Sequence, residues 1–412
     1  MRRTVLAMIS VAFIINFIDR QVLATLAPVL RDQLGFTNTD YSLMVAAFLL
    51  GMGLFQLPVG LLMDRKGAKL GFSVIVIAWS IVSGLHAFAT TVFQFCGLRF
   101  LLGGGECGNY SGGLKLIGQH FPPEERAFAG SIFSASSFVA SVIAPPLVVF
   151  LALRFSWHVA FLVPSSLGFL WLAVWLWLFP QRALQATMEG SSADGSILDP
   201  SLTHVRGLLR SRRTWAVIFI RSLGGPLFHF YYFWVPEYLK RTKGIDLATL
   251  GAVVWIPFLF AGIGSLFGGY LSGALLRRGY SLTFSRRLPC ILGDALAVVS
   301  NLVVMAVSSL PLTLVALSVA NFGSNMIEPN FIGFVTDIFP ERAVGRVTAL
   351  TGIGDNIMSI ILMVTTGIVL DHFSYLPVFV GATLLPLLQF ASVIWLGQPS
   401  KGDFSRERRV TS

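Results

Sequence analysis

The chain is 412 residues long, 55% hydrophobic and only 12% charged, with a formal net charge of +10 and a mean hydropathy of +0.75. Soluble domains carry about twice that share of charge, which excludes a soluble enzyme or binding module and indicates a polytopic membrane protein. The basic excess invites a nucleic-acid reading, but the lysines and arginines gather in every second connection between apolar segments, the pattern of a topogenic signal.

Twelve apolar segments are long enough to cross a bilayer, at 4–29, 41–63, 70–90, 92–119, 127–153, 157–179, 214–239, 248–276, 288–308, 311–336, 346–370 and 375–396. The basic connections begin at Arg65, Arg126, Arg206, Arg277 and Arg342, and both termini are basic as well, so the positive-inside rule places both termini in the cytoplasm. The longest polar break is a cytoplasmic linker at 180–213, between bundles at 1–179 and 214–397, and a cytoplasmic tail follows at 398–412. The expected fold is all-α, with twelve transmembrane helices in two six-helix bundles.

Span one opens like a signal peptide, with Arg2-Arg3 before an apolar run, but that run contains Asp19 and Arg20 and continues to Val29, so it reads as a retained helix. Asn16 shares a helical stripe with Asp19 and Arg20, three and four residues on. Span four carries Arg99, Glu106 and Lys115 inside an apolar segment. A charge at mid-bilayer costs roughly 2.5–3.5 kcal/mol, so such residues are usually kept for function. Arg99 and Glu106 lie almost two turns apart on one face, with a rise of ~10 Å between them, and Gly103-Gly104-Gly105 between them lets another helix approach. Two readings stand: an internal ion pair that locks spans one and four, or a site in which Arg20 and Arg99 present donors to a substrate carboxylate while Glu106 and Asp19 take protons. Asn109 follows Glu106 and is expected to orient its carboxyl group or a substrate hydroxyl, with an interhelical hydrogen bond as the plain alternative. Lys115 snorkels toward the cytoplasmic end.

Span seven holds an aromatic run in which Tyr231, His229 and Trp234 offer stacking faces and polar tips to a sugar, with ordinary packing as the plain alternative. Gln56, Asn325, Glu328, Asn330, Asp355 and Asn356 add polar groups to spans two, ten and eleven. Cys96, Cys107 and Cys290 all lie within spans, with no disulfide or metal spacing. No Walker loop, paired metal histidines or nucleophile elbow occurs, so neither an enzyme nor a cofactor is expected.

The halves echo each other. Phe155–Phe161 (FSWHVAF) recurs as Phe373–Phe379 (FSYLPVF), His120–Ala127 (HFPPEERA) as Ile338–Ala343 (IFPERA), and Gly60–Gly67 in degraded form as Gly269–Gly279. Three echoes in one order indicate a duplication of like orientation.

The loop Gly60-x-Leu62-x-Asp64-Arg65-x-Gly67-x-Lys69 resembles the motif of the major facilitator superfamily, though its second copy has Gly273 in place of the Asp. That resemblance implies a gating role for Asp64 and Arg65, near Arg126 and the start of span eleven. The blocks NFIDRQ (Asn16–Gln21), GECGNY (Gly105–Tyr110), APPLVV (Ala144–Val149), FYYFWVPEYL (Phe230–Leu239), WIPFL (Trp255–Leu259) and DIFPERAVG (Asp337–Gly345) are similar to the anion:cation symporters, and within them to the hexuronate and sugar-acid branch. By that resemblance Arg20 and Arg99 match substrate-anion positions, Asp19 and Glu106 match proton-coupling positions, and Asn330 and Asn356 match family positions. The chain departs from the branch where it has Gly224-Gly225-Pro226 for Thr-Asp-Pro, and Met52 for a tyrosine.

The expectation is a monomeric inner-membrane symporter that takes up a small organic anion with protons, a sugar acid such as a hexuronate or aldonate. An exporter or drug antiporter of the same superfamily is the nearest alternative. Span five lacks the glycine-rich antiporter motif, however, carrying SASSFVASVIAPP instead. A substrate sensor is the third reading, for which the short linker and tail offer no signalling domain. Neither metal nor nucleic acid has a part in any of the three.

Overall fold

The structure, a computed structural model, describes residues 2–179, 208–339 and 341–396. Most of the expected linker and the whole tail lie outside the described residues. Among those described there is no strand, and helices account for nearly all of these residues. In the first half α1 (Arg2–Leu34), α2 (Asn38–Lys66) and α3 (Ala68–Leu85) are spans one to three. Span four is two helices, α4 (Val92–Glu106) and α5 (Gly108–His120), and α6 (Pro123–Arg154) and α7 (Trp157–Leu178) complete the bundle. The second half runs α8 (Arg212–Lys243), α9 (Leu247–Val253) with α10 (Trp255–Arg277), and α11 (Leu282–Ala306). It ends with α12 (Leu310–Asn325) and α13 (Ile327–Ile338), then α14 (Glu341–His372) and α15 (Tyr375–Leu396).

Every expected span is present, and most helices outrun the apolar limits, as α11 does by starting at Leu282 ahead of Arg286 and Arg287. Hydropathy marks the stretch that meets hydrocarbon, and the helix continues beyond it. Ten spans qualify as membrane-crossing by length and composition alone. The two that do not are spans four and seven, which carry Arg99, Glu106 and Lys115, and Arg221, His229 and Glu237. Helix starts are set by side-chain caps: Thr37 with Asp40 and Thr91 with Gln94 form reciprocal capping boxes.

Spans four and ten are interrupted at equivalent places, Cys107 and Met326. The interruption is an irregular turn, since Cys107 N–H still donates to Gly103 O at 3.0 Å and Met326 N–H to Phe322 O at 3.2 Å. Close helix contacts are duplicated too. A Cβ on Gly103 would stand 2.1 Å from Phe48 O of α2, and one on Gly264 the same 2.1 Å from Phe322 O of α12. Only glycine allows backbones that close.

The halves are tied together on the face opposite the termini, here called the far face. Glu237 Oε1 accepts from Arg31 Nη1 at 2.6 Å and Arg241 Nε at 2.8 Å, while Asp32 pairs with Arg241 at 3.0 Å and Lys240 at 3.5 Å. Asp371 of α14 caps α2 from the other half, accepting the backbone N–H groups of Asn38 at 2.8 Å and Thr39 at 2.9 Å. Tyr41 Oη donates to Phe233 O at 2.8 Å, and Tyr232 Oη to Phe17 O at 3.2 Å. Asn38 Nδ2 adds a further tie, donating to Leu370 O at 3.0 Å.

Candidate functional site

Arg20 leaves α1 near its middle and crosses to α4, where Nε and Nη2 each stand 3.0 Å from Glu106 Oε2. The Glu106 side chain is wholly buried and Arg20 is 13% exposed. The Arg20 guanidinium also lies over the ring of Phe17 at 4.5 Å and that of Phe48 at 5.1 Å, so it is cradled on its apolar faces while its edge meets the carboxylate. Glu106 therefore pairs with Arg20 and not with Arg99. Arg99 and Glu106 are separated by seven residues of rise along span four, whereas α1 packs against that span at α5, just past Glu106.

Arg99 is 1% exposed. Its Nη1 reaches only the Arg20 carbonyl, at 3.5 Å, and Nε and Nη2 have no hydrogen-bond partner. The amide groups of Asn16 and Asn109 and Oε1 of Glu106 are likewise buried without partners. Asp19 accepts from Ser83 Oγ at 2.6 Å through Oδ1, and its Oδ2 is unpartnered. Buried polar groups left unpaired cost free energy, so this many in one place mark a site shaped for something other than its own packing. The arrangement presents charged and amide donors around the Glu106 carboxylate, which already occupies one arginine. It can exchange that carboxylate for another.

The other expected residues divide. Trp234 is buried between the halves, its ring 5.1 Å from that of Tyr41. His229 Nδ1 lies 2.9 Å from Gly225 O and 3.3 Å from Ser359 Oγ, within the second half. Tyr231 turns away from the centre and donates to Asn301 Oδ1 at 2.8 Å. Asn330 clamps two helices through bonds to Gly268 O at 3.2 Å and Met326 O at 3.0 Å. Asn356 donates to Gly352 O at 3.1 Å, and Gln56 is exposed on α2. Lys115 Nζ donates to Met63 O at 3.1 Å, a helix-end contact. At the terminal face Arg126 Nε donates to Phe121 O at 2.9 Å and Arg65 is exposed, while the Asp64 side chain lies outside the described residues.

One group was missed from the sequence. Arg221 of α8 binds Asp355 of α14, Nε to Oδ2, at 3.0 Å and also pairs with Glu328 of α13. Asp355 is accommodated because residue 225 is glycine: a Cβ there would stand 1.8 Å from Asp355 Oδ1. The departure from the branch at Gly225 thus makes room for a carboxylate on the neighbouring span. The signal was an arginine inside span seven, at the head of the aromatic run that drew the reading instead.

A profile of the Major Facilitator Superfamily matches residues 9–284 and 279–411. The chain is 26% identical to the hexuronate transporter of Escherichia coli (strain K12) over 405 residues, 96% of this chain and 93% of that one. It is 25% identical to the D-galactonate transporter of Escherichia coli O6:H1 over 413 residues, 96% and 95% of the two chains. It is 27% identical to a probable galactarate/D-glucarate transporter of Bacillus subtilis over 398 residues, 90% and 87% of the two. In fold it is similar to a bacterial homolog of the human lysosomal transporter Spinster, in an inward-facing and occupied conformation. There the TM-score is 0.72 at 17% identity, with 96% of this chain and 94% of that one covered.

Proposed function

We propose that this chain, which belongs to the Major Facilitator Superfamily, is a secondary transporter that takes up a sugar-acid anion together with protons. The three relatives above are named for hexuronate, galactonate and galactarate or glucarate, all polyhydroxylated carboxylates. The observation that carries the reading is the Arg20–Glu106 pair beside an Arg99 whose Nε and Nη2 have no partner.

In this scheme the substrate carboxylate docks on Arg99 and competes with Glu106 for Arg20. Glu106 can yield Arg20 at low cost only by taking a proton, because a second anion left beside the first in a buried site is strongly disfavoured. Proton and anion therefore load together. Asn16 and Asn109 supply neutral donors and acceptors to the substrate, and Asp19 is a second acid on the same helix face as Asn16. The far-face ties of Arg31, Glu237 and Asp371 hold one side shut, and Asp64, Arg65 and Arg126 act on the other. Both termini are cytoplasmic, in the inner membrane of a bacterial cell.

The test is uptake by proteoliposomes of labelled hexuronates and aldonates. Arg20→Ala and Arg99→Ala should each abolish uptake with normal amounts of protein in the membrane. Normal transport by both variants would remove the carboxylate site.

A further inference from the structure

The second half carries a charged unit built on the plan of the first. In each half an arginine on the first span pairs with a glutamate beside the interruption of the fourth: Arg20 with Glu106 next to Cys107, and Arg221 with Glu328 just past Met326. Counted from where their spans start at the far face, Val92 and Leu310, Glu328 stands about one turn nearer the terminal face than Glu106, a difference of ~6 Å. The first unit meets α8 through Phe17, whose ring lies 4.5 Å from the Arg20 guanidinium and whose carbonyl accepts from Tyr232 Oη at 3.2 Å, while His229 Nδ1 on the same helix stands 3.3 Å from Ser359 Oγ, a partner of Asp355.

The two acids on Arg221 are not equivalent. Asp355 is 11% exposed and is fixed from both sides, by Arg221 Nε at 3.0 Å and by Ser359 Oγ donating to Oδ1 at 3.1 Å. Glu328 is 49% exposed and Arg221 30%. Charged groups inside a membrane bundle face a water-filled passage and not lipid, so the Glu328 side of the guanidinium looks into the passage. Asp355 aims the arginine, the Phe331 ring lies 5.7 Å from its guanidinium carbon, and Glu328 occupies the donors that face the passage.

We propose that Arg221 is a second carboxylate-binding site and that the transported anion is a dicarboxylate, one end on Arg20 and Arg99 and the other displacing Glu328 from Arg221. This rests on the anion site proposed above and names its substrate class. A dianion joined to both halves would draw them together more strongly than a monoanion whose charge is held by the first half alone.

The experiment compares the full-length protein in proteoliposomes on a labelled six-carbon aldarate and the aldonate of the same hydroxyl configuration. The wild type should half-saturate at a concentration at least ten-fold lower for the diacid. Arg221→Gln should collapse that ratio toward one. Because this variant deprives Asp355 of its counter-ion and can fold poorly, Glu328→Gln provides the second arm: it keeps the shape, removes the competing charge, and should widen the ratio several-fold. Equal half-saturation in the wild type, or an unchanged ratio in a folded Arg221→Gln or in Glu328→Gln, would overturn the proposal. Those results leave the first site standing if Arg20→Ala still abolishes aldonate uptake. No uptake of either acid by the wild type would overturn both.

Discussion

Arg20 and Arg99 are intramembrane arginines with different tasks: Arg20 is held by Glu106, and the buried Arg99 keeps Nε and Nη2 without partners. A lysine at 99 retains the charge and loses the planar fork. Arg99→Lys should therefore lower sugar-acid uptake at least ten-fold at unchanged membrane abundance, since one ammonium cannot make a two-pronged contact. Wild-type uptake in that variant would mean that a point charge suffices. These residues were legible because a charge in an apolar run is costly enough to stand out. Their pairing was not. Spacing along one helix puts Arg99 and Glu106 on a shared stripe, but the partner of Glu106 comes from another helix, which a one-dimensional pattern does not record. Arg221 was hidden for a related reason: it follows a basic cluster, and its two acids are 107 and 134 residues away. Tyr231 and Asn330 show the converse, since polar groups in a span also serve as ties between helices within one bundle.

The pair α2 and α4 positions the site, and its closeness depends on glycine. A Cβ on Gly103 would overlap the Phe48 carbonyl, a backbone atom that cannot swing aside. Gly103→Ala should cost about 1–3 kcal/mol through overpacking and lower the Tm of the detergent-solubilised protein. Gly97→Ala, on the same helix with nothing within 4 Å of its Cβ, should leave the Tm unchanged. Equal Tm values for the two variants would mean that α4 can shift away from α2. The glycine run was readable as a contact surface, and the helix count and order followed from hydropathy and the repeat. The interruptions at Cys107 and Met326 were not readable, because the apolar pattern runs straight through them. For Met326 a cause can be named afterwards: Pro329 has no N–H to give to the carbonyl of Asn325.

At the scale of the molecule, the far-face ties decide which side is open. Glu237 is buried and shared by Arg31 and Arg241, so Glu237→Gln should weaken the hold between the halves. Ser42 is fully buried and lies under these ties. With Cys96, Cys107 and Cys290 replaced, a cysteine at Ser42 should react several-fold faster with a membrane-impermeant thiol reagent in the Glu237→Gln background. An unchanged rate would show that the clasp does not limit opening. Whether the site also couples movement to a proton turns on Glu106, and Glu106→Gln, which mimics its protonated form, gives the most direct measurement. The variant should still exchange labelled for unlabelled sugar acid across proteoliposomes, because Arg20 and Arg99 remain, and should no longer accumulate it when a pH gradient is imposed. Accumulation at the wild-type level would contradict the account and move the coupling to Asp19.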